Sequence, residues 1–155
     1  MRIVLNQLET ELASLAGTAR MISNQRNGAI SNGKRKHDRD INGMGGELAV
    51  CKYFNRWPDL SIGPHYSGYD LKVKGKRVDV KTTTYDPGYL QANKNKSVNA
   101  CDIYILVHAD FPNFEIIGGA LSRHLISRAN LNDYGYGMCY MLEQSQLTPL
   151  ELLFA

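Results

Sequence analysis

The stretch Gly68-Tyr69-Asp70-Leu71-Lys72-Val73-Lys74-Gly75-Lys76-Arg77-Val78-Asp79-Val80-Lys81 carries two alternating runs around Lys74-Gly75. That dipeptide suits a tight hairpin turn. With Lys74 and Gly75 as the turn, Val73 faces Lys76, Leu71 faces Val78 and Asp70 faces Asp79. Side chains alternate along a strand, and facing residues share a face. Tyr69, Leu71, Val73, Val78 and Val80 then form a core face, with Lys76 at its turn edge. Asp70, Lys72, Arg77, Asp79 and Lys81 form a charged face. If the turn is Gly75-Lys76 instead, Asp70 and Asp79 become diagonal neighbours on the same face. Carboxylates set directly opposite one another destabilise a sheet unless a cation lies between them. Lys81 is one candidate cation, and a divalent metal is the other. Mg²⁺ prefers carboxylate and carbonyl oxygens. The bland alternative is a surface hairpin whose mixed charges pair among themselves.

Upstream, the apolar residues Val4, Leu5, Leu8, Leu12, Leu15, Ala16, Ala19 and Ile22 recur at helical spacing, predicting an amphipathic helix over 3–22. Residues 24–46, rich in Asn, Gly, Lys and Arg, read as a basic loop. A second helix over 46–55 has Glu47 in its first turn and ends at Trp57-Pro58. Downstream, 89–92, 102–108 and 114–120 read as strands, the second buried on both faces. Ser122 reads as the cap of a short helix through Ala129, and 138–142 as a last strand. Thr148-Pro149-Leu150-Glu151 reads as a capping box opening a final helix. The expected fold class is α/β: a single domain, 1–155, with a central mixed β-sheet flanked by helices. Its parts are the N-terminal helix, the basic loop, a core of about 43–126, and a C-terminal strand and helix over 137–155.

Composition bounds the function. At 155 residues, 43% apolar and 21% charged, the chain can build one full core, so disorder as the whole account is excluded. The longest strongly apolar run, Ile103 to Val107, is far short of the roughly 20 residues of a membrane span. The N-terminus lacks the pattern of a signal peptide. Cys51, Cys101 and Cys139 are odd in number and far apart, which argues against a disulfide framework or a structural zinc site. Together these point to the cytoplasm, that of a host if the protein is viral. The net charge is +3, unevenly spread. Residues 20–40 hold six bases against two acids, residues 72–96 seven against two, and residues 130–155 no Lys or Arg. Such polarity draws polyanions to one face, although charge asymmetry also arises on plain solvated surfaces.

The pattern Gly-x-Asp followed about ten residues on by Asp-Val-Lys resembles the PD-(D/E)XK nuclease superfamily. Gly45-Gly46-Glu47 is similar to the helix that often adds a carboxylate there. Thr82-Thr83, the strand at Asp102–His108 and Ile117-Gly118-Gly119-Ala120-Leu121-Ser122-Arg123 are similar to small phage-type members. The resemblance covers about 43–126. The chain departs from the pattern in having Tyr69, not Pro, before the first Asp, and Asp79 where Glu is commoner. The resemblance implies a restriction-endonuclease-like core and Mg²⁺-dependent hydrolysis of phosphodiester bonds, with Mn²⁺ as a substitute. It implies that Asp70, Asp79 and the Val80 carbonyl hold the metal, and that Lys81 orients or deprotonates the attacking water. Glu47 would bind a metal directly, through water, or in a second site.

Each further residue has two readings. Glu47 in a first helical turn is also what a helix dipole favours. Lys34, Arg35, Lys36 and Arg39 read as phosphate contacts or as a soluble loop. Gln91, Lys94 and Lys96 follow the hairpin and offer donors to nucleic acid. His37, His65, His108 and His124 have no ligand spacing, and no Walker loop or dinucleotide fingerprint is present. The expectation is a metal-dependent deoxyribonuclease, DNA before RNA, and a homodimer before a monomer. The alternative is a non-catalytic nucleic-acid-binding protein with an inactive nuclease fold.

Overall fold

The computed structural model describes residues 1–26, 34–63, 68–135 and 137–155, with the backbone alone for 34–36. The chain runs β1 (Arg2–Val4), α1 (Gln7–Arg26), α2 (Lys34–Tyr53), β2 (Leu71–Val73), β3 (Lys76–Thr83), β4 (Leu90–Asn93), β5 (Ile103–Asp110), β6 (Asn113–Leu121), α3 (Ser122–Leu125), β7 (Leu131–Asp133), β8 (Met138–Leu142) and α4 (Leu150–Leu153). The hairpin forms in the expected register: Leu71 faces Val78, Lys72 faces Arg77 and Val73 faces Lys76. Lys74 and Gly75 both take positive φ, 48° and 78°, as a two-residue turn between twisted strands requires.

Five strands form the central sheet in the order β1-β6-β5-β3-β2. Only β3 and β5 run parallel, so the sheet is mixed. β5 is the spine: five consecutive residues, Ile103 to Val107, have no exposed surface. Its odd residues, with Val78 and Val80, pack against Leu48, Ala49 and Val50 of α2 and Ala13 of α1. Its even residues Tyr104 and Leu106 pack with Leu90, Ala92, Leu125 and Leu142. Those come from α3 and from a small antiparallel sheet in the order β4-β8-β7. The chain is thus a single α/β domain with a central mixed sheet flanked by helices. Among the described residues no helix is long and apolar enough to cross a membrane.

Several sequence expectations are corrected here. The helix expected over 3–22 starts only at Gln7, and Arg2–Val4 pair with β6 instead. Leu8, Leu15 and Ile22, read as core, are exposed, whereas the small residues Ala13, Ala16 and Gly17 are buried. The reason is close packing: a Cβ on Gly17 would meet the Ile41 Cα of α2 at 2.8 Å. The basic loop expected over 24–46 is helical from Lys34 onward, and 27–33 lie outside the described residues. Glu47 is therefore deep in α2, not in a first turn, and the dipole reading falls away. The Gly43–Gly46 stretch, read as the end of the basic loop, is partly contact surface. A Cβ on Gly45 would lie 2.3 Å from Phe114 Cζ, and one on Gly46 would lie 2.1 Å from Thr82 Oγ1. Intrinsic propensity yields to tertiary packing here.

The caps also differ. Ser122 does not cap α3; its hydroxyl donates to the Val98 carbonyl at 2.8 Å, and α3 ends at Leu125. Thr148 makes no capping box, because its backbone pairs with Gly119. The reciprocal box that does form joins Glu143 and Gln146.

Candidate active site

β2 is only three residues long, so it covers β3 no further than Val78. Beyond that point the edge of β3 would expose its N–H groups. Asp70 fills the gap. Its N–H donates to the Val78 carbonyl at 2.8 Å, and its carboxylate accepts the Val80 N–H at 2.6 Å. Asp70 is thus an edge residue that precedes the β2 ladder, not a ladder residue opposite Asp79. Tyr69 likewise leaves the predicted core face and packs beside the cluster that contains Tyr104 and Leu106. Alternation cannot be carried past the end of the strand.

Asp79 lies in mid-strand and is 3% exposed. One carboxylate oxygen takes the Lys81 ammonium, and the other takes the Lys96 ammonium at 3.1 Å. Lys81 reaches back two residues on the same face, with its ammonium 5.8 Å from the centroid of the Tyr104 ring. Lys96 arrives by a tight turn after β4, in which the Lys96 N–H donates to the Asn93 carbonyl at 2.9 Å. Its ammonium also lies 3.4 Å from the Gly68 carbonyl, so it ties the entry of the hairpin to Asp79.

Glu47 is held by Arg20 of α1, whose Nη1 lies 2.9 Å from each carboxylate oxygen. The other terminal nitrogen donates to the Asp59 carbonyl at 2.8 Å. Burial pushes the Glu47 carboxyl up to about 8, and the negative charge of Asp70 adds to the rise; Arg20 only partly offsets both. Burial also raises Asp70, with the Asp79 charge next, against the Val80 N–H and the Lys81 and Arg20 charges. Glu47, Asp70 and Asp79 are matched in formal charge by Arg20, Lys81 and Lys96, and it is burial above all that disfavours the charged forms of Glu47 and Asp70.

The donor chemistry of Asp70 and Asp79 fits a hard divalent cation: oxygen ligands only, in a setting where burial disfavours the Asp70 carboxylate and a nearby cation would favour it. Their arrangement is not a three-ligand cage. Among the described residues no group of three or more His, Cys, Asp or Glu is set to hold a metal ion. Val80, expected to lend its carbonyl, enters through its N–H on Asp70.

The remaining expected residues are dispersed. Arg39, Gln91 and Lys94 are exposed, and the side chains of Lys34, Arg35 and Lys36 lie outside the described residues. Arg77, placed on the charged face, turns to Asp102 instead, with Nη2 to Oδ1 at 2.9 Å. Among the histidines, His37 shares a hydrogen bond of 2.7 Å with Thr18, and His65 lies outside the described residues. Sequence reasoning counted Arg20 only as one base of the 20–40 run and gave Lys96 only a nucleic-acid role. Arg20 stands 27 positions from Glu47, a separation that carries no local signal. Comparisons with protein-family models, with curated proteins and with solved structures find no match to this chain.

Proposed function

We propose that the chain is a metal-dependent deoxyribonuclease with a restriction-endonuclease-like core, hydrolysing phosphodiester bonds with Mg²⁺, or Mn²⁺ in its place. The observation that carries this reading is a buried carboxylate, Asp79, placed beside Asp70 at an open strand edge, with Lys81 two residues on. Asp70 and Asp79, with the Val80 carbonyl, would hold the ion, and Glu47 would take a water or a second ion. A bound divalent cation supplies Lewis acidity toward phosphoryl oxygens and water.

The chain's own groups do the rest. Lys81, anchored on Asp79, faces the reacting phosphate and offsets the negative charge that grows on it. Lys96 places a second ammonium at the same carboxylate. Displaced from Asp79, either ammonium is free to meet a phosphate oxygen or the attacking water. Arg20 fixes the rotamer of Glu47 and carries the charge of α1 into the site. Lys94 and Arg39, both exposed, would each offer a cation to a DNA backbone.

A second reading has one observation in its favour: both oxygens of Asp79 are already taken by lysines. A site neutralised in that way suits a nucleic-acid-binding protein that no longer cuts. Incubation with linear, circular and branched DNA in Mg²⁺, Mn²⁺ or EDTA separates the two. Cleavage with either ion and none in EDTA is the expected result. Binding without cleavage under every divalent ion selects the second reading.

A further inference from the structure

We propose that a pocket on the small sheet binds one unstacked nucleobase of the DNA whose backbone lies at Asp79; this rests on the nuclease reading. The pocket is a recess of about 230 Å³ whose lining includes Tyr89, Asn130, Asn132, Tyr134, Glu143 and Gln146. Drug-sized ligands need about 300–1,000 Å³. The recess therefore takes a single flat ring system and not a whole nucleotide.

Its chemistry suits a base. Tyr89 and Tyr134 are 43% and 52% exposed, so each ring keeps a surface open for stacking. The polar groups are fixed by bonds that leave their other valences free. The Asn130 amide nitrogen donates to the His124 carbonyl at 2.6 Å, which leaves its oxygen as an acceptor. Gln146 Oε1 accepts the Glu143 N–H at 2.9 Å, which leaves the Gln146 amide hydrogens as donors. The Glu143 carboxylate accepts the Gln146 N–H and retains further acceptor sites. Among the described residues no Lys or Arg lines the recess, and Glu143 is its one charged residue. A phosphate is repelled there, while a base edge that presents amino or imino hydrogens is welcomed.

Its position links it to Asp79. The 144–146 turn is tied to the loop after β3, where Gln144 Nε2 donates to the Gly88 carbonyl at 3.1 Å. Gly88 packs against Thr83, two residues beyond Lys81: an added Cβ would meet Thr83 Cγ2 at 2.3 Å. β4 starts beside Tyr89 and leads to the turn that returns Lys96 to Asp79. Its four residues extend about 13 Å, a few nucleotides of strand. Gln91 and Asn93 are exposed along that path. A base reaches such a recess only from a single-stranded stretch or after leaving the duplex stack. The preferred substrate is therefore DNA with unpaired bases near the cut.

The test uses the full chain in EDTA and a short single-stranded oligonucleotide carrying one 2-aminopurine. Binding should change the probe's fluorescence as the base stacks. Tyr134→Ala should weaken binding roughly 5- to 150-fold, the range for loss of one base–aromatic stack. An abasic site in place of the probe should cost a similar factor, and Tyr134→Ala should then cost nothing more. Tyr134→Phe should bind as wild type, and so should Trp57→Ala, which removes an exposed aromatic ring outside the pocket. Equal affinity for abasic and intact strands, or a Tyr134→Ala protein indistinguishable from wild type, overturns the pocket whether or not the protein cuts DNA. A chain that shows these losses yet cuts nothing with any divalent ion keeps the pocket and loses the nuclease reading. A chain that binds no strand overturns the pocket, and one that also cuts nothing with any divalent ion overturns both.

Discussion

On the helix-covered face of the central sheet, Val78, Val80, Ile103, Ile105 and Val107 join one apolar cluster, whereas the face under the small sheet buries Asp79 beside Tyr104 and Leu106. That cluster is held together by shape and hydrophobic area. The second must keep a carboxylate out of water, and it does so with two ammonium groups. One strand, β3, serves both faces through simple alternation: Val78 and Val80 inward on one side, Asp79 and Lys81 on the other. The same alternation lets a change on one face be made without touching the other. Stability and chemistry should therefore separate by residue parity along β3 and β5.

The largest separation is expected at Asp79. Asp79→Asn keeps the size and one carbonyl oxygen but removes the charge that two lysines and a divalent ion would share. Cleavage should fall by roughly 10²–10³ or more. Melting should fall only by about 2–4 °C, because the lysine partners are about one-third exposed and water screens their loss. Full activity alongside a lowered melting temperature would make Asp79 a structural residue and return the site to an ordinary salt-bridged hairpin.

The opposite result is expected one strand over. Ile105→Ala on the sealed face should cost about 2–5 kcal/mol of stability. Cleavage measured well below the lowered melting point should stay within about twofold of wild type. Leu106→Ala should cost as much stability, but it removes a neighbour of Tyr104, over which Lys81 sits. It should therefore also slow cleavage. If the two variants behave alike in both assays, the faces are not independent and the comparison breaks.

The buried carboxyls make a subtler prediction. The folded-state pKa of Glu47 is raised from 4.5 to about 8, and that of Asp70 is raised as well. The folded state then binds more protons than the unfolded chain, so stability falls as pH rises through that window. In EDTA the melting temperature should decline from about pH 5 to about pH 8. Millimolar Mg²⁺ should flatten the decline, as should Glu47→Gln. A slope that persists unchanged in Mg²⁺ would mean that no divalent ion reaches these carboxylates.

Which of these features could be read from the chain follows from how local each one is. The hairpin register was legible because a two-residue turn and strict alternation leave few choices, and β5 was legible as one unbroken apolar run. Asp79 and Lys81 came with them. The start of α2 was not legible, because Gly43, Gly45 and Gly46 look like breakers until Phe114 and Thr82 are known to press against two of them. α1 misled by its large residues: Leu8 and Leu15 face solvent because the contact with α2 needs small ones. Arg20 and Lys96 reach the site only through the α1–α2 packing and the turn after β4, and neither shows as a spacing.

The smallest effect is expected at Asp102, the partner of Arg77, which strand alternation had put on the charged face with Asp79. Arg77 instead grips Asp102 through Nη2 and its own backbone N–H, and Nη1 donates to the Asn99 carbonyl at 2.8 Å. The link joins the start of β5 to β3 at the end of the sheet away from Thr83. The side chain of Arg77, followed by its N–H, holds the Asp102 carboxyl down at about 2. A lowered folded-state pKa gives stability that is present above the unfolded value near 3.8 and is lost as pH falls through about 2. Both side chains are about one-third exposed, so screening reduces the effect to about 1–3 °C of melting temperature. Asp102→Asn should lie below wild type by that amount at pH 6, converge with it near pH 2, and lose most of the difference in about 1 M salt. Cleavage by this variant should match wild type. A loss of activity as large as that of Asp79→Asn would put Arg77 in the reacting site.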